Sequence, residues 1–128
     1  MIRSPYDELI GVRLGDAGPD HAVAELAVTA ALHQPGGIVH GGVYATLVET
    51  CASIAANHWL GGDGVAVGVS NHTDFLRAVR SGTLRAEASP VQRGRRLQLW
   101  EVTVTDEAER VVARGSVRLA NVDEVPGE

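Results

Sequence analysis

An α+β domain, with an antiparallel curved sheet wrapped around one long central helix, is the fold class this sequence predicts. Three observations predict it. Residues 41–60, GGVYATLVETCASIAANHWL, hold no proline and no glycine after Gly42, and form the one long stretch that reads as a helix. Several other runs alternate apolar and polar residues with the period of two that marks a half-buried strand. The later runs are joined by short turn-forming segments, which connect antiparallel neighbours. A chain of 128 residues has room for one core, so it is expected to be a single domain over 1–128.

Taken in order, residues 1–7 are expected to be a loose lead-in. Residues 9–14 read as a short strand, ended by the turn-rich Gly15, Asp16, Ala17, Gly18 and Pro19. Residues 21–29 alternate, with Ala22, Ala24, Leu26 and Val28 on one face and Glu25 and Thr29 on the other. Residues 32–37 carry Pro35, Gly36 and Gly37 and so form a loop. The long helix follows, and Gly61 stands just past its end, where a left-handed cap is favoured. A helix this apolar is normally wrapped by other structure. Strands are then expected over 65–76, 84–92, 97–105 and 111–120, with turns at 80–82, 93–96 and 106–109. Residues 122–128 read as a loose end. One helix leaves the sheet's outer face and edges uncovered, which favours an oligomer.

Hydrophobic residues make up 45% and charged residues 21%, which excludes disordered, collagen-like and low-complexity chains. No apolar run reaches the ~20 residues of a membrane span, and residues 1–11 lack the features of a signal peptide. The lone Cys51 has no disulfide partner, so a reducing cytoplasm is the expected compartment, with no membrane partner. The net charge of −5 argues against a nucleic-acid partner. Charge is uneven, however: residues 77–118 carry nine Arg against five acids, while residues 1–76 carry two Arg against eight. All eleven basic residues are Arg, whose planar fork suits phosphate groups as well as a solvated strand face.

Glu49 is the one formally charged residue of the long helix. A carboxylate there is costly to bury without partners, so it is a reactive group, or it pairs with a buried Arg, or it reaches solvent at an oligomer edge. At the helix start, Gly41 and Gly42 leave the first-turn N–H groups unobstructed at the positive end of the helix dipole, a geometry suited to a developing oxyanion. The same glycines would also serve a tight turn or close packing. His40 and Glu49 are nine residues apart, ~13 Å along a helix, so one chain's Glu49 cannot reach its own helix start. A neighbouring subunit could bring its Glu49 there. Cys51 with His58 is a weaker nucleophilic pair, since the two lie ~10 Å apart along the axis. His33, His40, His58 and His72 show no metal-ligand spacing, and no metal is expected.

The segment HQPGGIVHGGVYATLVETCAS resembles the hot-dog-fold thioesterases of the phenylacetyl-CoA (PaaI-like) group: His-Gly-Gly, then a carboxylate eight residues after the first Gly. Residues 67–116 are similar to the glutamate-type branch that includes 1,4-dihydroxy-2-naphthoyl-CoA and 4-hydroxybenzoyl-CoA thioesterases. The resemblance implies hydrolysis of an acyl-CoA, with an aromatic or hydroxyaromatic acyl group, and no cofactor beyond the CoA of the substrate. It makes Glu49 the nucleophile or general base, and Gly41 the N–H that polarises the carbonyl, with His40 and Gly42 beside it. It makes Gln34 the group that orients water or carbonyl, and Ser53 the hydroxyl near the attacking group. It places His72 and Phe75 by the acyl pocket, and Gly94, Arg95 and Arg96 against the CoA arm. Relatives often have Ser or Thr where this chain has the two arginines. It also implies a homotetramer built from dimers. Two other readings compete: a non-catalytic acyl-CoA binding module, and a hot-dog hydratase or dehydratase of enoyl thioesters pairing His33 with Glu49.

Overall fold

The computed structural model describes residues 4–125. The chain opens with a short helix, α1 (Pro5–Ile10), followed by β1 (Arg13–Gly18) and β2 (His21–Ala27). A single 3-10 turn (Ala30–Leu32) leads to the long helix α2 (Gly41–Leu60), and then come β3 (Val65–Phe75), β4 (Thr83–Arg93), β5 (Leu97–Thr105) and β6 (Val111–Val122). The strands form one antiparallel sheet in the order β1-β2-β4-β5-β6-β3, so β1 and β3 are its edges.

The long helix spans the residues the sequence assigns to it, and β5 does likewise. The N-terminal segment differs. The expected lead-in and the expected strand over 9–14 are replaced by α1 and by a strand that starts at Arg13. The cause is local: Ser4 Oγ accepts from Asp7 N–H, Pro5 sits in the first turn, Asp7 and Glu8 favour the helix dipole, and Gly11 closes the helix at φ 93°. The expected turn over 15–19 is mostly strand as well, since a bulge between Leu14 and Ala17 lets the pairing with β2 continue to Gly18. At the other end β6 runs to Val122, past the expected boundary; residues 1–3 and 126–128 lie outside the described residues.

The core forms where the concave sheet meets one face of α2. Val43, Tyr44, Leu47, Val48, Cys51, Ala52, Ala55 and Ala56 are buried, a two-residue-wide stripe repeating every turn. Ala22, Ala24, Ala86 and Ala88 face it from β2 and β4, and their small side chains let helix and sheet approach closely. Trp100, Val102 and Val104 fill the wider part beneath β5. The opposite face of α2, with Ala45, Thr46, Glu49, Thr50, Ser53 and Ile54, is only half-buried. The helix is thus sealed on its apolar side and only partly covered on the side that carries Thr46, Glu49, Thr50 and Ser53.

Gln98 is the one buried polar side chain among the described residues. It accepts from Trp100 Nε1 at 2.8 Å and donates to Asn121 Oδ1 at 2.8 Å. Asn121 Nδ2 in turn donates to the carbonyls of Gly94 and Arg95. The β4–β5 hairpin is therefore tied to the core through a run of side-chain amides. Asn57, near the end of α2, makes a similar tie: its amide accepts from Ala66 N–H and donates to Ala66 C=O, as a neighbouring strand would.

Candidate active site

Glu49 sits at the middle of the half-buried face of α2, one turn from Ala45 and one turn from Ser53. Its carboxylate meets β3. Asn71 Nδ2 donates to Glu49 Oε1 at 3.2 Å. The second oxygen, Oε2, occupies the space a Cβ would take at Gly68. Two adjoining cavities open beside the carboxylate. The larger, about 600 Å³, has Leu14, Ile54 and Val65 as its apolar wall, with Ser4, Asp7 and Ser53 as polar lining. The smaller, about 360 Å³, reaches Tyr6, Thr46 and Asn71. The short helix α1 forms one side of both, held by Thr50 Oγ1 donating to Asp7 Oδ1 at 2.8 Å and by Tyr6 OH bonded to Thr46 Oγ1 at 3.0 Å.

A second cluster surrounds the start of α2. His40 is the N-cap, and its Nδ1 accepts from Gly42 N–H at 2.8 Å, which leaves the ring proton on Nε2. The N–H of Gly41 has no acceptor among the described residues. The Phe75 ring covers the Cα of Gly41 so closely that a Cβ there would overlap it, and the Tyr44 ring lies 5.8 Å from Phe75. Gln34, Gly41, Tyr44, Phe75 and Arg77 line a cavity of about 270 Å³. The amide oxygen of Gln34 accepts from Gly36 N–H, and this bond shapes the loop before the helix.

Within one chain the expected residues therefore form two groups. Glu49 and Ser53 share the larger cavity; Gln34, Gly41 and Phe75 share the cavity at the helix start, with His40 and Gly42 capping it. Glu49 lines no part of the cavity at the helix start. The nine-residue separation along α2 is what divides them. His72 alternates with Asn71 on β3 and so faces away from α2, with its ring 3.7 Å from Asp74. Gly94, Arg95 and Arg96 make the β4–β5 hairpin; Gly94 N–H donates to Leu97 C=O at 2.9 Å. Arg85, Arg93, Arg110 and Arg114 are paired with Glu87, Asp20, Asp106 and Glu101, whereas Arg95 and Arg96 make no ion pair among the described residues. Cys51 is sealed under the helix, where burial pushes its thiol up to about 12, so it is unfit as a nucleophile.

Sequence reasoning missed Gly68, Asn71 and α1. Alternation along 65–76 would place Gly68 and Asn71 on opposite faces. A bulge between Gly68 and Ser70 absorbs one residue, so Gly68 before it and Asn71, Thr73 and Phe75 after it all face the helix. The capping pattern Ser4-Pro5-x-Asp7-Glu8 was the signal available for α1.

Residues 36–113 match the family model of the thioesterase superfamily. Rv1847 of Mycobacterium tuberculosis, a protein that bears the name of an esterase, is 50% identical over 98% of this chain and 91% of its own length. Its solved structure superposes with a TM-score of 0.92 at 49% identity, covering 96% of this chain and 100% of that one. The 1,4-dihydroxy-2-naphthoyl-CoA hydrolase of Listeria monocytogenes is 34% identical over 82% of this chain and 85% of its own. The structure of the thioesterase HI1161 of Haemophilus influenzae superposes with a TM-score of 0.88 at 30% identity, covering 92% of this chain and 82% of that one.

Proposed function

This chain belongs to the thioesterase superfamily, an enzyme of the hot-dog fold that hydrolyses acyl-CoA thioesters, and from that premise we propose which groups carry the reaction. Glu49 activates the attack, either by taking a proton from water or by adding to the thioester carbonyl itself. In the first route the hydroxide adds to the carbonyl carbon, the carbonyl electrons move to oxygen, and the thiolate of CoA leaves as the carbonyl re-forms. In the second route an acyl-Glu49 anhydride forms with loss of the thiolate, and water then opens it. In both, negative charge builds on the carbonyl oxygen, and the Gly41 N–H at the positive end of α2 is the donor aimed at it. The proton released from water passes to the departing thiolate and Glu49 returns to its carboxylate, so the products are a free acid and CoA.

The observation that carries this reading is the position of the Glu49 carboxylate. It is held at the rim of a cavity of about 600 Å³ with an apolar wall, a size suited to a drug-sized group. The donor group lies about two turns away at the start of the helix, so Glu49 of one copy works against Gly41, His40 and Gln34 of another. That requirement makes the active form an oligomer. An aromatic or hydroxyaromatic acyl group suits the larger cavity, where Leu14, Ile54 and Val65 offer apolar surface and Asp7 and Ser4 offer partners for a hydroxyl. Arg95 and Arg96 serve as partners for CoA phosphates in this reading, which their hairpin's tie to the core and their lack of an ion pair among the described residues support.

The test is free-thiol release from a panel of benzoyl, hydroxybenzoyl, phenylacetyl, naphthoyl, short-chain and long-chain CoA esters. Replacing Glu49 by Gln is expected to lower turnover by ~10³-fold on the best ester, with the fold retained. A Glu49→Gln enzyme within a few fold of wild type would overturn the role of Glu49.

A further inference from the structure

We propose that Asn71 is a positioning residue for Glu49, with Thr73 fixing Asn71 in turn; this rests on the reading of Glu49 as the reactive carboxylate. A glutamate on a helix has several rotatable bonds, and a base or nucleophile must point one way to be effective. Two features of β3 set that direction. Gly68 leaves room for Oε2, and Asn71 donates to Oε1.

The orientation of the Asn71 amide follows from its neighbours. Asn71 Nδ2 also donates to Ala45 C=O at 3.1 Å, and Asn71 Oδ1 accepts from Thr73 Oγ1 at 2.6 Å. A carbonyl and a carboxylate can only accept, so turning the amide over would set its oxygen against two acceptors. Ala45 and Glu49 are one helical turn apart, and the two N–H groups of one amide span that turn. The result is a relay from Thr73 through Asn71 to the carboxylate, all on the helix-facing side of β3. Asn71 borders the smaller cavity beside Glu49 but not the cavity at the helix start, and its side chain bonds Ala45, Glu49 and Thr73, so an effect on kcat at constant KM is the mark of a role exerted through Glu49.

The isosteric change Asn71→Asp separates positioning from simple tethering. Aspartate keeps the shape and the acceptor for Thr73 but has no N–H to give and sets a second carboxylate against Glu49, which is why the uncharged Asn71→Ala is measured beside it. Asn71→Asp and Asn71→Ala are expected to lower kcat by ~10- to 100-fold while KM stays within about twofold. Thr73→Val is expected to lower kcat by a smaller factor, and Thr73→Ser to recover most of it. In a Glu49→Gln background Asn71→Ala is expected to add no further loss, because the two residues act as one unit. Near-normal kcat in both Asn71 variants, with Glu49→Gln inactive, would overturn the proposal. So would a rise in KM at constant kcat, or losses that multiply independently in the double variant. If Glu49→Gln itself keeps its turnover, the reading of Glu49 fails first and the positioning role goes with it.

Discussion

Gly68 is the residue with the tightest demand on its side chain near the Glu49 carboxylate. A Cβ there would overlap Glu49 Oε2, and also approach Glu49 Cδ at 3.1 Å. Gly68→Ala therefore has to turn the carboxylate away from β3 and off the Asn71 amide. The expected outcome is a loss of kcat of ~10-fold or more at little cost in stability, since Gly68 is exposed and no core group moves. Steady-state kinetics beside a melting curve checks this; an alanine variant with unchanged kcat would show that the carboxylate's direction is unimportant. At this scale the sequence was half legible. Glu49 announced itself as the lone charge of an apolar helix, and Gly41 as a glycine at a helix start. Gly68 and Asn71 could not be found that way, because their common face depends on one unpaired residue in a strand.

Among the elements, the turn between β5 and β6 has a pH response whose sign follows from its bonds. Asp106 accepts from the backbone N–H groups of Arg110 and Ala108 and from Arg110 Nε. The backbone bond from Arg110, then its side chain, hold the Asp106 carboxyl below the usual carboxylate value. A carboxyl depressed in the folded state adds stability above its unfolded value near 3.8 and loses it as pH falls through the lower folded value. The gap in melting temperature between wild type and Asp106→Ala is expected to be full at neutral pH and to close below about pH 4. A gap that persists unchanged in acid would mean that the turn does not depend on the charge. The elements show why legibility was uneven. The long helix carries twenty residues of consistent pattern. The short α1 carries six, and its identity lies in Ser4, Pro5 and Gly11 rather than in any period. Missing α1 also meant missing one wall of the cavities beside Glu49.

For the whole molecule, the division of the site between the middle and the start of α2 makes a quantitative prediction. If each site takes Glu49 from one copy and Gly41 from another, two differently inactivated chains should repair each other. Mixed after unfolding and refolding, Glu49→Gln and Gly41→Val chains are expected to regain roughly a quarter of wild-type activity, because about half the dimers are mixed and each mixed dimer has one intact site of two. No recovery, with mixed oligomers shown to form, would place both halves of the site in one chain. The sequence made this division visible through spacing alone. It did not reveal that the outer face of α2 stays half-buried, because an all-apolar helix reads the same whether its own sheet or a second copy covers it.

The bulge at Gly68–Ser70 also governs how this strand tolerates gain and loss of length. Gly68 pairs with Leu119 and Ser70 with Arg118, so Val69 is the residue the ladder does not count. Losing one residue at that point would heal the bulge and keep Asn71, Thr73 and Phe75 turned toward the helix. Losing one anywhere else along β3 would force the strand either to open a new irregularity or to exchange its two faces. His72 and Asp74 would then replace Asn71 and Thr73 beside Glu49. Single-residue deletions in β3 that preserve activity are thus expected only within residues 68–70.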